Sequence, residues 1–209
     1  MLDKFKVILW DFDGVLMDSN SVRDMGFETV LANYPKKQVQ ALMTYHKANG
    51  GLSRYVKFRY FFEEILKKPV TEEMIETMAK AFSDIMRKYL TNTDLLIKDS
   101  MNFVRHNHEK FLMHIVSGSD QQELRYFCQE LGISIYFLSI NGSPTPKKQL
   151  VLNILTNYKY NKTEVVLIGD SINDYDAAIE NNISFAGFNN TPLKTLSSPY
   201  IDSFEKYFK

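Results

Sequence analysis

The chain has one cysteine, Cys128, among 209 residues. No disulfide can form within a single copy, which fits a reducing cytosol. It has no apolar run of the roughly 18 residues that a membrane-spanning helix needs. Its first apolar run, residues 7–10, is too short for a signal peptide. It has no excess of either charge, since 25 basic and 25 acidic residues cancel, and there is no long basic tail. That argues against a protein held on nucleic acid mainly through phosphate contacts. It also lacks internal repeats and low-complexity segments. The expectation is a soluble cytoplasmic protein, monomer or homodimer, with neither a membrane nor a nucleic-acid partner.

What is present is core-forming material. Apolar residues make up 44% of the chain, ample for one large domain or a core with a small insertion. The run Val7-Ile8-Leu9-Trp10 suits a strand buried on both faces, as in the middle of a parallel sheet. It ends in Asp11-Phe12-Asp13-Gly14. Side chains alternate along a strand, so Asp11 and Asp13 share one side while Phe12 faces away. Carboxylates at the carboxyl end of a central strand stand where open α/β sheets bind ligands.

Residues 15–90 read as almost purely helical. Helices are expected from residue 20 onward, over residues 38–47 and 55–68, and from Thr71 to about residue 89. Thr71-Glu72-Glu73 opens the last with a cap and first-turn acids. Asn49-Gly50-Gly51 breaks the pattern between the second and third helices. After Leu90 the character changes to strand–helix alternation. Strands are expected at 111–116, 135–140, 164–168 and 184–188, and helices at 99–109, 121–131, 146–157 and 173–180. Such alternation predicts a parallel sheet with helices on both faces. The predicted class is α/β, a three-layer Rossmann-like core made of residues 1–14 and 91–209, with residues 15–90 inserted as a helical cap. The tail after Asn189 is weakly patterned.

Three later strand ends join the first. One run ends in Ser117-Gly118-Ser119, whose hydroxyls and backbone N–H groups suit an anion. Another ends in Asp170, with Asp174 four residues on. Between them stand Lys147 and Lys148. Adjacent parallel strands bring these ends to one edge. Asp11, Asp13, Asp170 and Asp174 would then crowd, each like-charged pair at about 4 Å costing roughly 4 kcal/mol at an effective dielectric near 20. A hard divalent cation such as Mg²⁺ is the natural compensation. With a lysine and loop N–H groups the site suits a phosphoryl group, attacked by one carboxylate and served by the other in proton transfer.

The ordered set DFDGVLMDS, VSGS, GSPTPKK and GDSINDYDAA resembles the four motifs of the haloacid dehalogenase-like superfamily across essentially the whole chain. The resemblance implies Asp11 as nucleophile and Asp13 as general acid/base, with the Asp13 backbone carbonyl also touching the metal. It implies Ser117 and Gly118 as phosphate-binding and Lys147, or its neighbour Lys148, as the phosphate lysine. Asp170 becomes a metal ligand, joined by Asp174 directly or through water. Gly50 to Arg54, GGLSR, resembles a cap segment of β-phosphoglucomutases, although Val22-Arg23 stands where those mutases carry a histidine.

Arg54 and Lys57 near the Gly-Gly break, with His46 and Asn49, are the candidate substrate contacts of the cap. The other histidines, His106, His108 and His114, read as structural. The aromatics from Tyr55 to Phe62 read as cap core. The resulting expectation is a Mg²⁺-dependent phosphatase of a small phosphorylated metabolite, a phosphosugar or sugar-acid phosphate first. The alternatives are a β-phosphoglucomutase-like mutase and a catalytically silent phosphate-binding or regulatory protein.

Overall fold

The computed structural model describes residues 2–196 and 198–207. Among them, six parallel strands form one sheet: β1 (Val7–Trp10), β2 (Leu112–Asp120), β3 (Ser139–Ser143), β4 (Val165–Gly169), β5 (Ser184–Phe188) and β6 (Tyr200–Ile201). Their order is β3-β2-β1-β4-β5-β6, so the chain starts in the middle and winds outward both ways. β1 lies between β2 and β4, with Trp10 level with Ile115 and Ile168. Alternation splits β1 cleanly. Ile8 and Trp10 join the larger apolar cluster on one face, and Val7 and Leu9 join the smaller one on the other. With all four residues buried, each side of the strand removes apolar surface from water, at roughly 25 cal/mol per Å².

Four helices lie between β1 and β2 before the chain re-enters the sheet layers: α1 (Asn20–Val30), α2 (Lys36–Ala48), α3 (Arg54–Tyr60) and α4 (Glu72–Tyr89). The Thr71 hydroxyl accepts from the Met74 N–H and caps α4, as its sequence predicts. The helices are tied together by an aromatic core in which Phe27 packs 4.6 Å from Phe82 and 5.2 Å from Phe58, ring centre to ring centre. The remaining helices are α5 (Lys98–Asn107), α6 (Gln121–Glu130), α7 (Lys147–Asn157) and α8 (Ile172–Glu180). None of the described helices is long and apolar enough to cross a membrane.

Three local expectations are corrected. The helix expected over residues 55–68 ends earlier, passing into a wider π-type turn at Phe61–Ile65. The strand expected at 135–140 is displaced: Ser134–Tyr136 is a short 3₁₀ turn with Ile135 77% exposed, and β3 runs Ser139–Ser143. β2 continues through the polar Ser117-Gly118-Ser119 to Asp120, with its register against β3 shifting after Val116.

Candidate active site

The carboxyl ends of β1, β2 and β4, with the start of α7, converge at one edge of the sheet. At the tip of β1, the Asp11 N–H donates to the Ile168 carbonyl at 2.9 Å, continuing the ladder one residue past the strand. Gly14 then turns with φ +75°, a conformation that suits glycine. A Cβ at Gly14 would lie 2.0 Å from Asp170 Oδ2. The missing side chain is thus what lets the β1 and β4 loops meet.

One oxygen from each of Asp11, Asp170 and Asp174 lies within 4.8 Å of the others. The Lys147 Nζ sits among them, 2.9 Å from Asp11 Oδ1 and donating to Asp174 Oδ1 as well. Lys147 is buried, whereas Lys148 points outward to Glu180 at 3.2 Å. Burial, then Asp174, raises Asp11 well above the usual carboxylate range. The same two causes push Asp170 up to about 7. Burial alone would lower the Lys147 ammonium, but Asp11 and Asp174 overcome it and hold the proton more tightly than in water. Asp174 also closes a capping box at the start of α8, its Oδ2 accepting from the Ser171 N–H and hydroxyl. Three carboxyl groups are met by one cation among the described residues. That all-oxygen donor set fits a hard divalent ion such as Mg²⁺.

Asp13 lies apart from this group. Its Oδ1 accepts from Arg23 Nε at 2.6 Å and from the Ser19 hydroxyl, and its Oδ2 accepts from the Ser119 hydroxyl at 2.7 Å. Burial opposes its charge, but Arg23 and the hydroxyls prevail and keep Asp13 below its ordinary value. Arg23 also donates to Ser119 at 2.8 Å, linking α1 to the end of β2. There the buried Ser117 hydroxyl accepts from the Ser119 N–H at 3.1 Å. Gly118 presses against the Gly50-Gly51 turn, and the Gly51 carbonyl also accepts from Asn173 at 3.1 Å.

Above Asp13 is a cavity of about 60 Å³, lined in part by Arg23, His46, Arg54 and Lys57. Arg54 is fixed by Glu123, its Nη1 lying 3.0 and 3.1 Å from the two carboxylate oxygens. Among the described residues its Nε and Nη2 have no hydrogen-bond partner, although Nη2 lies 3.9 Å from Asp120 Oδ2. Lys57 lies 2.8 Å from His46 Nδ1. Asn49, expected as a substrate contact, does not line this cavity: its amide donates to the Tyr45 carbonyl at the end of α2. His114 is buried between Ser139 and Tyr160, away from these loops.

Three residues escaped the sequence reading. Arg23 sits in an ordinary helical stretch and gains its role only because α1 lies over Asp13. Asn189 and Asn190, in the weakly patterned tail, donate to the carbonyls of Gly14 and Asp170 at 2.9 and 2.6 Å. They hold the β1 and β4 loops together, and nothing in their local pattern announces it.

The model of the family described as haloacid dehalogenase-like hydrolase matches residues 8–188. No curated protein matches significantly. Among solved structures, β-phosphoglucomutase from Clostridium difficile is 19% identical over 98% of this chain and 93% of its own, with a TM-score of 0.75. A predicted phosphoglycolate phosphatase from Haemophilus somnus 129pt is 17% identical over 98% and 96%, also at 0.75. A predicted phosphatase from Clostridium acetobutylicum is 15% identical over 97% and 96%, at 0.76. At such identities these likenesses speak to the fold.

Proposed function

The chain belongs to the haloacid dehalogenase-like hydrolase family, and on that premise we propose that it is a Mg²⁺-dependent phosphatase of a small phosphorylated metabolite, acting through a phosphoryl group on Asp11. The observation that carries this reading is the buried Asp11–Lys147–Asp174 contact beside Asp170. Asp11 is held at the strand tip with Oδ1 engaged by the Phe12 N–H and by Lys147, which fixes the carboxylate for attack on phosphorus. Lys147, Ser117 and the Gly118 loop offer the donors for the phosphoryl oxygens. Asp11, Asp170 and Asp174 would hold Mg²⁺, with the Asp13 carbonyl in the role the family implies. Bound there, Mg²⁺ adds positive charge toward those oxygens. Residues 15–90 act as a cap that covers the reaction and selects the leaving group, with Arg54, Lys57 and His46 as the selecting residues.

The family role of Asp13 is to protonate the leaving oxygen and then activate water. A phosphosugar or sugar-acid phosphate is the first substrate class to try. A mutase would need a second phosphate held across the cavity, and its product would be an isomerised phosphosugar with little free phosphate. Zero net charge and a buried lone cysteine support a cytoplasmic enzyme with a small-molecule partner. The reading holds for monomer or homodimer alike. Its test is a phosphate-ester panel with Mg²⁺. The wild type should release phosphate and Asp11→Asn should lose at least about 10⁴-fold, as expected when a nucleophile is removed. Equal release by both proteins would end the claim.

A further inference from the structure

Two hollows flank the seam where the Gly50-Gly51 turn meets Gly118. The smaller, of about 60 Å³, is the cavity above Asp13. The larger is a cleft of about 260 Å³ between the entry to α3 and helices α7 and α8. Each borders a different part of the proposed chemistry. Asp13 lines the small cavity, and Lys147 lines the cleft. On the phosphatase reading, a phosphoryl group held by Lys147 and the Gly118 loop, with its leaving oxygen toward Asp13, sends its leaving group into the small cavity.

Among the described residues, only Gly51, Leu52 and Gly118 belong to both linings. Two of these are glycines, and their main chains already touch. Leu52, at the entry to α3, therefore supplies the one side chain that stands between the hollows. It is half-buried, yet it belongs to neither apolar cluster. That side chain serves the partition rather than the core.

The partition sets a size. An apolar cavity of about 150 Å³ takes the six carbons of benzene, so about 60 Å³ admits roughly two or three non-hydrogen atoms. A six-carbon sugar chain is too large for it, whereas the cleft behind Leu52 has room for one. The other walls of the small cavity are mostly polar and carry both signs, with Arg23, Arg54 and Lys57 facing it alongside Asp13 and Asp120. Hydroxylated chains suit such walls better than alkyl chains, because buried polar groups need partners.

Building on the phosphatase reading, we infer that Leu52 is a specificity-determining residue that confines the leaving group to a short hydroxylated chain of about two carbons. The preferred substrate class narrows from phosphosugars at large to the smallest polyol-type monophosphates. Asp13 keeps its acid–base role, and Leu52 takes no part in bond making. It acts by exclusion, since a longer chain must displace the leucine or lift the cap, and overfilling a packed site is unfavourable.

The experiment uses polyol monophosphates of two to six carbons, from 2-hydroxyethyl phosphate to sorbitol 6-phosphate, with Mg²⁺ present. Wild-type kcat/KM should fall at least about tenfold from the shortest to the longest. Leu52→Ala, which opens the small cavity into the cleft, should raise the six-carbon ester at least about tenfold and hold the two-carbon ester within about threefold. Leu52→Val, a milder trim, should fall between, and Leu52→Met, of similar volume, should keep the wild-type profile. An unchanged ratio in Leu52→Ala, an equal change on both esters, or a wild type indifferent to chain length overturns the proposal. A wild type that hydrolyses no ester ends the phosphatase reading, and binding then decides the partition. Non-hydrolysable phosphonate analogues of the two end members, titrated by calorimetry, should show the same preference and its loss in Leu52→Ala. Equal binding of both by the wild type, or binding of neither, overturns it.

Discussion

Asp11 and Asp13 stand two residues apart on one strand end, yet they face opposite electrostatic problems. On the side of Asp11, three carboxylates share a single lysine. On the side of Asp13, acids and bases are paired closely: Arg23 with Asp13, Arg54 with Glu123 and more distantly Asp120, and Lys47 with Asp24. The first region is short of positive charge, and the second has bases alongside its acids. Phe12 between them turns into the core, and Asp13 is drawn from the Asp11 group by Ser19, Arg23 and Ser119.

The contrast breaks most visibly at Lys147. Lys147→Met removes the one cation that the described residues place among the three acids, and losing one partner of a buried pair costs about 3–5 kcal/mol. Denaturant unfolding without divalent ions should show that loss, whereas Lys148→Met, at the exposed Glu180 pair, should move stability by less than about 0.5 kcal/mol. Matching losses in the two variants would mean that Lys147 does not neutralise the cluster. A somewhat smaller effect should come from the ion itself. Mg²⁺ at 100 times its Kd should stabilise the wild type by about 2.7 kcal/mol, and Asp170→Asn should abolish most of that gain. Calorimetry with and without Mg²⁺ reads both, and an undiminished gain in Asp170→Asn would remove Asp170 from the ligand set.

The effect on the Asp13 side appears only in acid, and near neutral pH it is the smallest of the three. Burial and the neighbouring Lys57 hold His46 down to about 3, against an ordinary 6.5. Between those values the unfolded chain binds a proton that the folded one refuses. Stability therefore falls as pH drops from 6.5 toward 3, by about 1.4 kcal/mol per unit from this group. His114, lowered to about 4 by burial, adds a share over its own window. His46→Gln should flatten the slope of denaturant midpoint against pH, and an unchanged slope would mean that His46 is not the buried neutral group.

Much of this was legible in the residues. The buried tetrad of β1 and the carboxylates at its end follow from apolar continuity and alternation, and the order of elements follows from strand–helix alternation. That Asp11, Asp170 and Asp174 meet was readable from strand ends, whereas Asp13, expected among them, lies apart. What failed was decided by distant packing. Residues 135–140 look like a strand, but pairing with β2 sets in only from Ser139, leaving Ile135 in solvent. β6 is two residues long, paired to β5 through Gly187 and Phe188, too short for any period to show. Arg23 was visible only as a departure from the mutase pattern. Its contact with Asp13 depends on where α1 lies, which no local pattern encodes. Asn189 and Asn190 are likewise spacers by composition and clamps only by position.

The seam between Gly118 and the Gly50-Gly51 turn constrains how such a molecule could change its ligand. A Cβ at Gly118 would come within 2.0 Å of the Gly51 carbonyl oxygen, so any larger residue there must prop the helical roof off the sheet. Main chain meets main chain at that line, with no side chain left to trade. A lineage retuning this protein toward a bulkier or differently shaped compound would have to rewrite the walls contributed by α1 and α3, keeping both glycines as the fixed hem around which those walls are recut.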